Sequence, residues 1–125
     1  PNGFDCGICF WSACSAKAVH NTIVSTDSNF SSIEWRFATS ANIEVANNIV
    51  THTMRQRDSA MASLSGNLEN APLDLFVAGA SGNLHLDSSA SNAINQGVDL
   101  TQGLCTDDID GESRDANPDI GADEI

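Results

Sequence analysis

A chain of 125 residues is one domain's worth, long enough to bury roughly two-thirds of the surface its unfolded form exposes. Its net charge of −12 sets it against nucleic acid and anionic membrane surfaces, and no stretch approaches the apolar length of a membrane span. Fifteen Ser, twelve Asn and twelve Asp against five Lys plus Arg favour turns and short strands over long helices.

The chain opens on "PNGFDCGICFWSAC", and a start at Pro1 with no signal peptide ahead of it reads as a trimmed product. Three of the four cysteines, Cys6, Cys9 and Cys14, crowd this opening, and the fourth is Cys105. With His20, the C-x2-C-x4-C spacing has the outline of a zinc or iron-sulfur site, but no second close pair completes the ligand set. An even count in an oxidising compartment points instead to a disulfide. A local bond among the first three cysteines is expected, Cys6 with Cys14, leaving Cys105 free or paired between chains, because the two ends of a stacked solenoid would lie beyond the reach of a disulfide.

Strands follow. In "GICFW" and "SSIEWRF" apolar residues alternate, so Ile8 and Phe10 match Ile33 and Trp35, while Glu34 and Arg36 take the opposite face. "VHNTIV" recurs 26 residues later as "VANNIV", making Val19, Asn21, Ile23 and Val24 equivalent to Val45, Asn47, Ile49 and Val50. Ile8, Phe10, Val19, Ile23, Ile33, Trp35, Phe37, Ile43, Val45 and Ile49 are expected to share one interior. "THTMRQRDSAMASL" has a weak helical period between strand-like flanks. A repeat this short cannot bury its own apolar face and must stack on its neighbours.

The repeat, with "GNLENAPLDLFVAGASGNLHLDSSASNAINQGVDL" and the closing "DIDGESRDANPDIGADE", resembles the C-terminal end of right-handed parallel β-helix proteins of the pectate-lyase-like superfamily. The resemblance implies an all-β fold, a short parallel β-helix of about four coils over residues 1–98, closed by an irregular acidic cap over 99–125. It also implies a structural Asn turn at Asn21 and Asn47, whose side chains would hydrogen-bond from coil to coil.

Residues 99–125 carry nine acids and one arginine, a net of −8. "TDDIDG" sets Thr106, Asp108, Asp110 and Gly111 as at the start of a calcium loop, but position 117, where the closing acid is needed, is Asn. Asp108 and Asp110 are therefore the candidate metal ligands and calcium the candidate ion, with a turn-forming acidic cap as the plainer account. "MRQRD" is the one basic cluster: Arg55, Arg57 and Asp58, with Trp11 as an aromatic platform, are the candidate carbohydrate-binding residues. No nucleophile motif occurs, and no catalytic residue is assigned.

Three functions are compatible with these features. The first and preferred is a non-catalytic extracellular or cell-surface structural module, a fragment of a larger protein or a subunit stacking end to end into a fibre. Its partners would be other copies of itself or upstream coils, because an end coil at "GICFW" would leave strand edges bare. The others are a remnant of a polysaccharide lyase or hydrolase and a carbohydrate-binding module, with a polysaccharide as partner. Neither nucleic acid nor membrane is expected.

Overall fold

Alternation in "CGICFW" and "SSIEWR" builds two six-residue strands, β1 (Cys6–Trp11) and β4 (Ser31–Arg36), which pair in parallel with Ile8 opposite Ile33 and Phe10 opposite Trp35. The computed structural model describes residues 5–100 and 103–125. Between these strands lie β2 (Lys17–Val19) and β3 (Thr22–Ile23); after them come β5 (Ile43–Ala46), β6 (Ile49–Val50), β7 (Met54–Gln56) and β8 (Ala62–Ser65). They form three parallel sheets, β1-β4-β7, β2-β5-β8 and β3-β6. The apparently helical "THTMRQRDSAMASL" is thus strand, β7 and β8, because neighbouring edges supply the backbone partners that a weak period does not.

The expected four-coil β-helix is not formed. The parallel strands lie in separate sheets two or three strands wide that do not close into a solenoid, and past one bridge between Ile49 and Leu68 the described chain adds no parallel strand. Residues expected to supply the last coils instead make β9 (Phe76–Ala78) and β10 (Asn83–Leu86), an antiparallel pair. The reason is local. Only Gly79–Gly82 separate the two strands, with Gly82 left-handed, and so short a link permits only an antiparallel return.

The core has two parts. Ile33, Trp35, Ile43, Val45, Val50, Ala18 and Ala60 pack between the parallel sheets, with Ile8, Phe10 and Ile23 against them. Ile49, Leu75, Phe76, Leu86, Ala93 and Ile120 form the second. Adjacent on β6, Ile49 and Val50 point to opposite sides and so belong to different cores. The single interior is therefore corrected for Ile49, and also for Phe37, which is exposed with a left-handed backbone that ends the strand alternation. Val19 is half-buried and belongs to neither cluster.

The repeat has a register of 27, not 26, since Ala18 lies opposite Val45 and Thr22 opposite Ile49. The Asn ladder is corrected with it. Asn21 bonds to Asn48, not Asn47, and Asn48 to Asn67: in each step the backbone N–H and the side-chain amide both donate to the next Oδ1, at 2.8 to 3.0 Å. Asn47 does other work. It aligns with His20 and Gly66, all three with positive φ (52°, 55° and 59°), at the corners that follow β2, β5 and β8. Its side chain clasps the backbone of Val98, accepting from the N–H and donating to the C=O, both at 2.8 Å.

The acidic segment docks on that corner. Gly121 N–H donates to Asn47 C=O, Ala122 N–H to Thr22 Oγ1, and Ile120 N–H to Ala93 C=O. At Gly121 (φ 105°) a Cβ would stand 2.8 Å from Ile49 Cδ1, so the close approach requires glycine. No helix among the described residues is long and apolar enough to cross a membrane.

Candidate functional site

On the β1-β4-β7 sheet, Ile8, Phe10, Ile33, Trp35 and Met54 face the core, so the intervening positions Trp11, Glu34, Arg36 and Arg55 share the outer face, with Arg57 just past β7. Trp11 lies opposite Arg36 and Glu34 opposite Arg55. Parallel pairing therefore gathers on one face residues up to 46 positions apart in sequence.

Glu34 is the anchor of this face. Its alternation points outward, yet it is 0% exposed, because its neighbours close over it. Trp11 Nε1 donates to Oε1 at 2.6 Å, Ser31 Oγ to Oε2 at 3.2 Å, and Arg57 to both oxygens at 3.2 and 3.3 Å. Such a set of donors satisfies both oxygens of a carboxylate that water does not reach. The Trp11 indole and the Arg57 guanidinium are thereby held in fixed orientations.

Around the anchor, cations stack on aromatic rings. The Arg36 guanidinium lies 4.6 Å from the Phe37 ring centre and 5.9 Å from that of Trp11, while Arg55 and Arg57 lie 4.3 and 4.8 Å from that of Phe30. These distances are within cation–π range. Arg36 is also paired with Asp58, and the hydrogen bond from Arg36, reinforced by the charges of Arg36 and Arg57, holds the Asp58 carboxyl below the usual carboxylate range. Arg55 has no ion-pair partner among the described residues. Three arginines against two carboxylates leave this face locally positive in a chain of net charge −12.

The structure thus brings Trp11, Arg55 and Arg57 together and sets Asp58 at the margin, tied to Arg36. Sequence reasoning missed Phe30, Glu34, Arg36 and Phe37. The signal was available for two of them, because the Ile8–Ile33 match places Arg36 beside Trp11 and Glu34 beside Cys9.

The acidic tail is occupied differently. Asp108 Oδ1 accepts the N–H groups of Asp110 and Glu112, and Oδ2 that of Glu124. Burial opposes its charge, but these bonds and the Arg114 charge leave its carboxyl below the usual range. Asp119, 1% exposed, accepts from Asn95 N–H at 2.6 Å and Ile125 N–H at 2.9 Å. Arg114 is buried against Glu124 and donates to the carbonyls of Gly121, Ala122 and Asp123. Of the two carboxylates expected as calcium ligands, Asp108 thus holds its own loop, and Asp110 Oδ2 lies 2.9 Å from His85 Nε2.

The remaining candidates resolve simply. Cys6 is bonded to Cys9, which corrects the expected Cys6–Cys14 pair; in this structure Cys14 and Cys105 are free thiols. His20 is buried, accepting from Asn47 Nδ2 at Nε2 (3.0 Å) and facing Gly121 C=O at Nδ1 (3.3 Å), a pattern that fits the neutral ring protonated at Nδ1. Burial, with help from the Arg114 charge, lowers its pKa.

No family profile, curated protein or solved structure matches the chain. Function has to be argued from the site itself.

Proposed function

We propose that the chain is a non-catalytic extracellular interaction module that holds an acidic polysaccharide on the outer face of the β1-β4-β7 sheet. The observation that carries this reading is Arg55. It is held on Phe30 beside Arg57 with no carboxylate partner among the described residues, on the face that also presents Trp11 and Arg36. Aromatic rings offer flat apolar surface to a sugar ring, and guanidinium groups bind carboxylates with two parallel hydrogen bonds. The net charge of −12 opposes an anionic polymer as well, so binding here rests on the local excess of guanidinium groups, which acts within the roughly 8 Å over which physiological salt leaves charges unscreened.

Binding without turnover is favoured because the two carboxylates of this face are already engaged. Both Glu34 oxygens accept hydrogen bonds in a buried setting, and Asp58 is paired with Arg36. Neither is placed to take a proton from a substrate. The Cys6–Cys9 disulfide supports an oxidising, extracellular setting.

The test is calorimetric titration with polygalacturonate and, as a neutral comparison, dextran. Saturable binding to the acidic polymer alone, weakened by added salt and by Trp11→Ala, supports the proposal. Equal binding to both polymers, or none to either, contradicts it, and new unsaturated ends detected by absorbance would make the chain a lyase. A second reading rests on the sheet edges. Among the described residues β1, β2 and β3 each have a neighbour on one side only, which leaves backbone groups free to pair with a further copy. A sedimentation coefficient that rises with protein concentration would support that assembly, and a constant one would contradict it.

A further inference from the structure

We propose that His85, Asp110 and Asp123 form a zinc-binding site where β10 meets the acidic segment. The site is separate from the arginine and aromatic face and does not depend on it. Three separate stretches supply the ligands, and their donor atoms lie within 4.8 Å of one another. In β10, "NLHL" alternates: Leu86 is buried and Leu84 packs against the core, which turns Asn83 and His85 to the opposite side. Asp123 arrives from the segment that Arg114 pins, and Asp110 from the tight "DIDG" turn.

Two independent features point to a cation. The first is Asp123, which is 5% exposed and has no ion-pair partner among the described residues. Its Oδ2 accepts from Leu86 N–H at 2.7 Å, and the nearby Arg114 is already paired with Glu124. A buried carboxylate in this position calls for positive charge. The second is His85, whose two ring nitrogens both face oxygens that accept: Nδ1 lies 2.6 Å from Asn83 Oδ1 and Nε2 2.9 Å from Asp110 Oδ2. Nε2 is thus aimed at the Asp110 carboxylate, while Asn83 Oδ1 stands at the far ring nitrogen, the place of the outer partner of a metal-bound imidazole.

The ligand chemistry favours zinc. One imidazole and two carboxylates suit a borderline ion, whereas calcium takes six to eight oxygens. Zinc bonds of about 2.0 to 2.2 Å need donor atoms drawn closer than the widest separation here. His85 and Asp110 are exposed and can close onto the fixed Asp123. Asn83 would serve as the outer partner that orients a metal-bound imidazole. An open cleft of about 420 Å³, walled by Thr22, Leu84, Ile109 and Ala122, borders His85.

Calorimetric zinc titration of the chelator-treated full chain tests this. One ion per chain is expected, with affinity lowered at least about a hundredfold in His85→Ala and Asp110→Asn and about tenfold in Asn83→Ala, the scale known for outer partners. His52→Ala, outside the cluster, should bind as the parent does. Both ligand variants are at exposed positions, and equal melting temperatures in chelator would show that they fold. Visible absorption of the cobalt-loaded chain gives a second readout, a four-coordinate spectrum absent from His85→Ala. The absence of saturable zinc binding, or binding that survives His85→Ala, would overturn the proposal and leave His85 and Asp110 as a surface ion pair.

Discussion

Glu34 and Asp119 are both carboxylates withdrawn from solvent, 0% and 1% exposed, but different kinds of donor hold them. Glu34 is held by side chains whose own outer surfaces reach water: Trp11 is 45% exposed and the Arg57 side chain 27%. Asp119 is held by the backbone N–H groups of Asn95 and Ile125, donors that belong to the chain path itself. Asp108, half-buried, repeats the second pattern with the backbone N–H groups of Asp110, Glu112 and Glu124. On the sheet face, then, a buried acid organises groups that remain available to a ligand, whereas in the tail buried acids fix the path of the chain.

The largest effect should come from breaking the tail pattern. Asp119→Ala removes a buried carboxylate that ties the Asn95 and Ile125 backbones together, and at about 1 to 2 kcal/mol for each charged hydrogen bond lost a destabilisation of about 2 to 4 kcal/mol is expected in urea unfolding. Gly66→Ala probes the corner between the two regions, since its Cβ would stand 2.2 Å from Asn47 Oδ1 on a backbone with φ 59°. A loss of about 2 kcal/mol follows from the left-handed strain and displacement of Asn47 from Val98. Glu34→Gln should cost less, about 1 to 2 kcal/mol, because Arg57 and Trp11 can recover hydrogen bonds from water. A loss from Glu34→Gln as large as that from Asp119→Ala would erase the distinction between the two regions.

The smallest effect concerns pH. The folded-state pKa of His20 is lowered, so the unfolded chain binds the proton more readily. His20 should therefore leave stability unchanged above about pH 6.5 and reduce it as pH falls from there toward the lowered value. Melting temperatures of the parent and His20→Asn, compared between pH 8 and 5, isolate this term. Asn suits the left-handed backbone at position 20 (φ 52°). Parallel pH profiles for the two proteins would show that His20 does not titrate in this range.

What was legible in the sequence follows from period-two alternation. Ile8 opposite Ile33 and Phe10 opposite Trp35 were readable because strong apolar residues mark both strands. The second register slipped by one because "VHNTIV" and "VANNIV" align on look-alike residues, whereas the ladder is set by which Asn accepts from the preceding backbone. A repeat could not reveal where repetition stops. Gly79 to Gly82 turn the chain back against itself, and that short link overrode the expected continuation of the coils. Arg55 and Arg57 stand out as the one basic cluster and Trp11 as an aromatic platform, but alternation assigns Glu34 only a face, since its burial depends on Trp11, Ser31 and Arg57 closing over it. The surroundings of "TDDIDG" were hidden for a similar reason: Asp108 accepts from backbone N–H groups of its own loop and of Glu124, and His85, the ring that Asp110 faces, lies 25 positions away.

The division of labour is tested most directly by Arg55→Ala, measured for polygalacturonate affinity and melting temperature in the same buffer. Arg55 is exposed, stacked on Phe30 and free of ion pairs among the described residues, so its removal should weaken binding at least about tenfold, the equivalent of losing one charged hydrogen bond, and leave the melting temperature unchanged. Unchanged affinity in a variant that melts like the parent would contradict the assignment of this face to the ligand.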